Sequence, residues 1–336
     1  MLGAKKIRPI YIAASMVLAL LLGLVQPLLS TAEERGLYFV AGTFAAEGKP
    51  HFPALNTKTN RLYVSDPEAG AVSVFDITRG VKLTTIATGA GAHTVMVDEA
   101  NNLVYVTNKG ADSLSVIDGN EDTKITDIAV GNGPHGLALD SKQNRAYVSN
   151  TGSDDVTVVD TARRTVIKTI TAGTAPWGVA LDAANGWIYT SNTDEGTVSR
   201  IEVESGKTLA KIIVGGRPWN LKVAKDNRRV YVTNESDGIV SVIGGDKVLL
   251  TIPVGKGPHG IELDNEQQLA FVAATGSSQI TVIDTKENVV AQTLSVDAAP
   301  SAIAGDYRKN VFYVANQGAG VITVLRAQAK TAEYQR

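Results

Sequence analysis

The 336-residue sequence contains no cysteine. That excludes disulfides, thiolate metal sites, a cysteine nucleophile and a lipid-modified N-terminal cysteine, and it is compatible with an oxidising compartment. Excess charge of one sign is also lacking: 32 basic residues face 34 acidic ones, for a net charge of −2. Three of the cations, Lys5, Lys6 and Arg8, stand in the first eight residues, and no acid precedes Glu33. Without that segment the chain carries about −5, so it has no global electrostatic pull on nucleic acid or anionic membranes. After residue 25 no apolar run is long enough to cross a bilayer. There is no G-x-S-x-G, no H-E-x-x-H and no P-loop, so no nucleophile–base constellation is visible.

What stands at the N-terminus has the layout of a secretory signal. Lys5, Lys6 and Arg8 form a positive start, and Ile10 to Val25 is a sixteen-residue run without charge. Gln26 and Pro27 break it, and Ser30-Thr31-Ala32 places small residues before a cut at Glu33. The run is shorter than the roughly 20 residues of a spanning helix. The expectation is a cleaved signal peptide over 1–32, a mature domain over 33–336 without stable membrane insertion, and a periplasmic or secreted location.

The mature chain repeats itself. Tyr63-Val64-Ser65-Asp66, Tyr105-Val106-Thr107-Asn108, Tyr147-Val148-Ser149-Asn150, Tyr189-Thr190-Ser191-Asn192, Tyr231-Val232-Thr233-Asn234, Phe271-Val272-Ala273-Ala274 and Tyr313-Val314-Ala315-Asn316 follow one another at 42, 42, 42, 42, 40 and 42 residues. Each unit holds four short β-branched runs separated by turn residues. In the third these are Gly136 to Leu139, Arg145 to Ser149, Val156 to Asp160 and Thr165 to Ile170. That is the pattern of a propeller blade. The fold expected is all-β, a seven-bladed β-propeller of four-stranded antiparallel blades. After the seventh third strand, Val321 to Leu325, only a polar tail remains, while Leu37-Tyr38-Phe39-Val40 precedes the first unit in phase with the fourth strands. The N-terminal strand should therefore complete the last blade and remove the open edge. The single 40-residue spacing has a local cause in the tighter turn Gly244-Gly245-Asp246.

The Tyr-Val-Thr-Asn signature resembles the YVTN family of bacterial propellers, and the exported single-domain chain is similar to its YncE-type members, across residues 37 to 326. The resemblance implies a surface or periplasmic binding module, and an association of YncE-type members with single-stranded DNA. Related propellers serve as scaffolds beside redox cofactors or as lactone hydrolases. Gly244 and Arg326 replace the acid otherwise found after the third strand, which bears on local turns.

The candidate chemistry lies in the loops leading into the first strands. Gly131-Asn132-Gly133-Pro134-His135-Gly136 and Gly255-Lys256-Gly257-Pro258-His259-Gly260 match G-x-G-x-x-G. A dinucleotide site needs a helix after the third glycine; here a strand follows, and the glycines serve turns at the channel mouth. The residue after the proline, in unit order, is His51, His93, His135, Trp177, Trp219, His259 and Ser301. All four histidines and two of the three tryptophans thus share one structural position.

Three readings of this ring stand side by side. It is a packing device that bonds neighbouring blades, or an aromatic-rimmed binding mouth, or a metal site. In the second, Trp177 and Trp219 stack on bases or other planar ligands and Arg217, Lys49 and Lys256 supply cations. In the third, His51, His93, His135 and His259 hold Zn, Cu, Fe or Ni. Closing the ring sets the histidines on one arc with the Trp pair opposite. Acids in the second-to-third strand loops (Asp66, Glu68, Asp112, Asp154, Asp155, Asp194, Glu195, Glu235, Asp237) read as turn residues on the same face. So do Asp98, Asp140, Asp182 and Asp264, which end first strands.

The function expected is an extracytoplasmic, non-enzymatic binding or scaffold propeller. Its partner is a protein or small molecule, or single-stranded nucleic acid by resemblance. The alternatives are a metal-binding accessory protein, a lactonase-like hydrolase built at the same mouth, and a surface adhesion or antigen module.

Overall fold

The computed structural model describes residues 38–225 and 228–328. The expected signal segment and the C-terminal tail from residue 329 lie outside the described residues. The described chain forms seven four-stranded antiparallel sheets. Apart from strands it holds one turn of 3₁₀-helix, Thr275–Ser277. In blade 3 the strands are Pro134–Asp140, Arg145–Asn150, Asp155–Asp160 and Thr165–Thr171, paired in sequence order. Blades 1, 2, 4, 5 and 6 follow the same order. The first strand of each blade contacts those of both neighbouring blades, and the seventh contacts the first, so the inner strands close a ring around an axis.

Burial follows from this arrangement. The second strand of each blade is covered on both faces by adjacent blades, so Val104, Tyr105 and Val106 are all fully buried, and the signature reads as a continuous rather than alternating run. The fourth strand lies at the rim and buries little more than one residue, such as Ile128 or Ile170.

The polar half of the signature joins blades together. Thr107 Oγ1 donates to the His135 carbonyl at 2.8 Å, Ser149 Oγ to that of Trp177 at 2.6 Å, Ser191 Oγ to that of Trp219 at 2.6 Å and Thr233 Oγ1 to that of His259 at 2.8 Å. Ser65 does the same for His93. Where the seventh blade has Ala315, Ser301 Oγ donates to the His51 carbonyl instead. The signature asparagine ties strands two and three: Asn108 Nδ2 donates to Ser113 and Ser115, and Asn192 Nδ2 to Thr197 and Ser199.

Closure follows the sequence expectation. The strand Tyr38–Ala45 pairs antiparallel with Val321–Ala327, from Tyr38 opposite Ala327 to Ala45 opposite Val321. It is longer than the four residues read from the sequence, and Leu37 lies outside the described residues. The tight turn in blade 5 is also present: strands Ile239–Gly244 and Lys247–Pro253 are joined by two residues, with Gly245 at φ 63°. Turn chemistry accounts for the acids that end first strands, as in Asp140 Oδ1 accepting from the Lys142 and Gln143 amides.

Candidate functional site: the ring and the central channel

Except for His51, which precedes the first strand of its blade, each ring residue sits in a break of the ladder. Pro134 pairs with Asn150 and the next pair is Leu137 with Val148, so His135 and Gly136 are left out of register. The same break occurs at Trp177, Trp219 and His259. Such a bulge re-aims a side chain. A β-carbon on Gly136 would stand 2.5 Å from the Trp177 carbonyl, so the close approach of blades here requires glycine. Gly133 and Gly257 both adopt φ 61°, and the strands Pro134–Asp140 and Pro258–Asp264 run straight through the third glycine. The G-x-G-x-x-G match is a turn motif, as the sequence indicated.

The structure brings the ring residues into contact. Centroid separations run His51–His93 4.2 Å, His93–His135 3.5 Å, His135–Trp177 4.1 Å, Trp177–Trp219 3.9 Å and Trp219–His259 4.3 Å. The last two pairs are stacked, at interplanar angles of 29° and 4°. Instead of an arc facing a Trp pair across an opening, the six side chains form one chain of rings. Both faces of Trp219 are taken, and the Lys109 ammonium lies 4.9 Å from the Trp177 centroid. The physical reason is the small radius at which seven inner strands converge.

The blade-to-blade bond is made by the carbonyl of the ring residue, which any amino acid offers. His51 Nδ1, His135 Nε2 and Trp177 Nε1 are buried and have no protein partner. Burial holds the imidazoles neutral: His51 is lowered to about 4, first by burial and then by the proximity of His259 and Lys109. His93 and His135 lie well below their ordinary range for the same reason. His259 is lowered by burial, partly offset by Glu235, whose Oε1 is 3.4 Å from Nε2. Among the described residues no three His, Asp or Glu side chains gather as a metal site. His51, His93 and His135 follow one another ring on ring, while His259 stacks on Trp219 instead.

The expected cations are mostly engaged. Arg217 pairs with Glu235 at 3.6 Å, and Lys49 with Glu68. The loop acids are partly spent too: Asp112 Oδ1 accepts from the Gly133 amide at 2.8 Å and Asp154 Oδ1 from Ala175 at 2.8 Å.

A cavity of about 480 Å³ runs along the axis. His135, Trp177, Trp219 and Phe52 line it where the first strands begin, and Lys225, Asn265 and Tyr307 where they end. Between them the wall is apolar except at Thr94, Asn220, Lys222 and Glu262; the Lys222 Nζ and Glu262 Oε2 are 2.8 Å apart. The sequence reading missed Lys109, Lys222, Glu262 and Tyr307. The signal for the wall was present as departures from the repeat: the position reads Ala54, Met96, Ala138, Ala180, Lys222, Glu262 and Ala304.

Seven four-stranded blades around a ring-plugged axial cavity define a β-propeller with a central channel. The chain is a seven-bladed β-propeller, and the family model described as YNCE-like beta-propeller matches its residues 56–186; the remaining described blades repeat the same sheet. No curated protein matches the chain. Among solved structures it is similar to the Kuenenia stuttgartiensis hydrazine synthase, with a TM-score of 0.75 at 18% identity, over 83% of this chain and 96% of that one. At that identity the likeness is one of fold alone.

Proposed function

We propose that this protein is an extracytoplasmic, non-enzymatic binding propeller that holds a small molecule in its central channel against the His/Trp ring. The observation that carries the reading is the axial cavity of about 480 Å³, within the range of small-molecule sites. It ends on aromatic side chains that the blade bonds do not require. The export half of the proposal rests on the signal-like N-terminal sequence. Single-stranded nucleic acid, implied by the resemblance, fits the geometry less well. Base stacking needs open aromatic faces, and those of Trp219 are occupied by Trp177 and His259.

The test uses the neutral planar probe 2-naphthamide and tryptophan fluorescence. Binding should change the emission of the wild-type protein, and Met96→Trp, which fills the partly exposed Met96 side of the channel, should abolish it without lowering the melting temperature. A thymidine oligonucleotide should neither bind nor compete. Oligonucleotide binding that displaces the probe would shift the reading to nucleic acid.

A further inference from the structure

Lys222, Glu262 and Tyr307 occupy three consecutive blades at the end of the channel away from the ring. Lys222 Nζ is 2.8 Å from Glu262 Oε2, and the Tyr307 hydroxyl donates to Glu262 Oε1. Both carboxylate oxygens are therefore used. Lys225 lines the same end and is exposed, so the lining carries two ammonium groups against the one carboxylate of Glu262, with the buried Asp264 behind it near Tyr307.

The seams between blades do not need this group. At the position of Lys222 and Glu262 the other five blades carry Ala54, Met96, Ala138, Ala180 and Ala304, and their seams close through apolar contact. A partly buried ion pair seldom stabilises a fold more than apolar packing does. Burial, reinforced by Glu262, raises the Tyr307 phenol well above its ordinary value. At neutral pH it remains a hydrogen-bond donor, which suits positioning and not nucleophilic attack.

The geometry points to a site for an organic monoanion: a carboxylate or similar head on the Lys222–Lys225 end, and a planar apolar body lying along the channel toward His135 and Trp219. From Trp219 to Lys222 is three residues of extended strand, roughly 10 Å, about the length of a two-ring aromatic acid. Glu262 and Tyr307 fix the Lys222 ammonium, leaving its other N–H donors for the head group. This inference rests on the channel-binding reading above.

The experiment titrates the full-length protein with 2-naphthoate, neutral 2-naphthamide and cationic 2-naphthylmethylammonium by calorimetry. Wild type should bind 2-naphthoate about tenfold tighter than the amide, as expected for one added charged contact, and the preference should shrink with salt. Lys225→Met and the charge-neutral double variant Lys222→Met/Glu262→Gln should each remove most of that preference. Lys225→Met alters an exposed side chain, so its result stands even if the double variant folds poorly. Equal or tighter binding of the amide or the ammonium compound overturns the anion assignment and leaves the channel reading intact. If none of the three binds, both fall.

Discussion

Trp219 illustrates what a single repeat position does at the axis. In one blade it is a bulged residue whose carbonyl accepts from Ser191; in the ring it is the middle of a three-layer stack with Trp177 and His259. The histidines extend that stack as neutral rings, and their protonation is linked to folding. Their folded pKa values are lowered, so the unfolded chain binds more protons as pH falls below about 6.5. The stability they contribute is complete above that pH and lost progressively below it, down to about 4 for His51. Each such group contributes at most about 1.4 kcal/mol per pH unit in this window. Urea unfolding at pH 7, 6 and 5 should therefore show a steep fall, and His93→Gln, which removes one titrating ring, should flatten it by about one proton's worth. Identical pH profiles for wild type and variant would show that the ring is not the source.

Among the elements, the second strand does most to assemble the ring of blades. Its hydroxyl residue holds the next blade's carbonyl, and the buried residue before it, such as Val106, Val148 or Thr190, fills the seam. Ser149→Ala or Ser191→Ala leaves a buried carbonyl without its donor and should cost about 1–3 kcal/mol. Ser153→Ala, whose hydroxyl only receives the Asn132 amide in an exposed turn, should cost much less; midpoints of urea denaturation give the comparison. These strands were legible in the sequence because the chemistry that joins them recurs every 42 residues: a buried Tyr, an apolar residue, a hydroxyl and an Asn. The closing strand was legible for the same reason, being in phase with the other fourth strands. The channel wall was not, because Lys222, Glu262 and Tyr307 are exceptions to the repeat, and a period search suppresses exceptions. The ring position was legible but its geometry was not. How closely His93 approaches His135, or Trp177 approaches Trp219, depends on the radius set jointly by seven strands, and no single unit contains that radius.

For the whole molecule, the closing seam decides whether the ring is stable. The N-terminal strand does more than pair with Val321–Ala327. Tyr38 is 2% exposed and packs edge-on against Phe271 and Phe312, at 5.0 and 5.5 Å between centroids. Its main chain is also held from blade 6: the Tyr38 amide donates to Gln292 Oε1 at 2.9 Å, and Gln292 Nε2 donates to the Tyr38 carbonyl at 2.7 Å. Deleting residues 38–45 should expose the edge of Val321–Ala327 and the Phe271–Phe312 pair together. Loss of one buried aromatic alone costs about 3–5 kcal/mol, and a bare strand edge favours association. The deletion variant should melt well below wild type and elute as aggregate. A circular permutant separates loss of the strand from disturbance of the terminus. Tyr38 lies opposite Ala327 in the ladder, so a short turn can join Gln328 to Tyr38, with new ends opened between Ala46 and Pro53. Restoring the same strand as the second half of a hairpin should recover monomeric elution and near-wild-type melting. A permutant that melts as low as the deletion would mean that blade 7 needs its outer strand supplied from the other end of the chain, and that pairing alone does not close the ring.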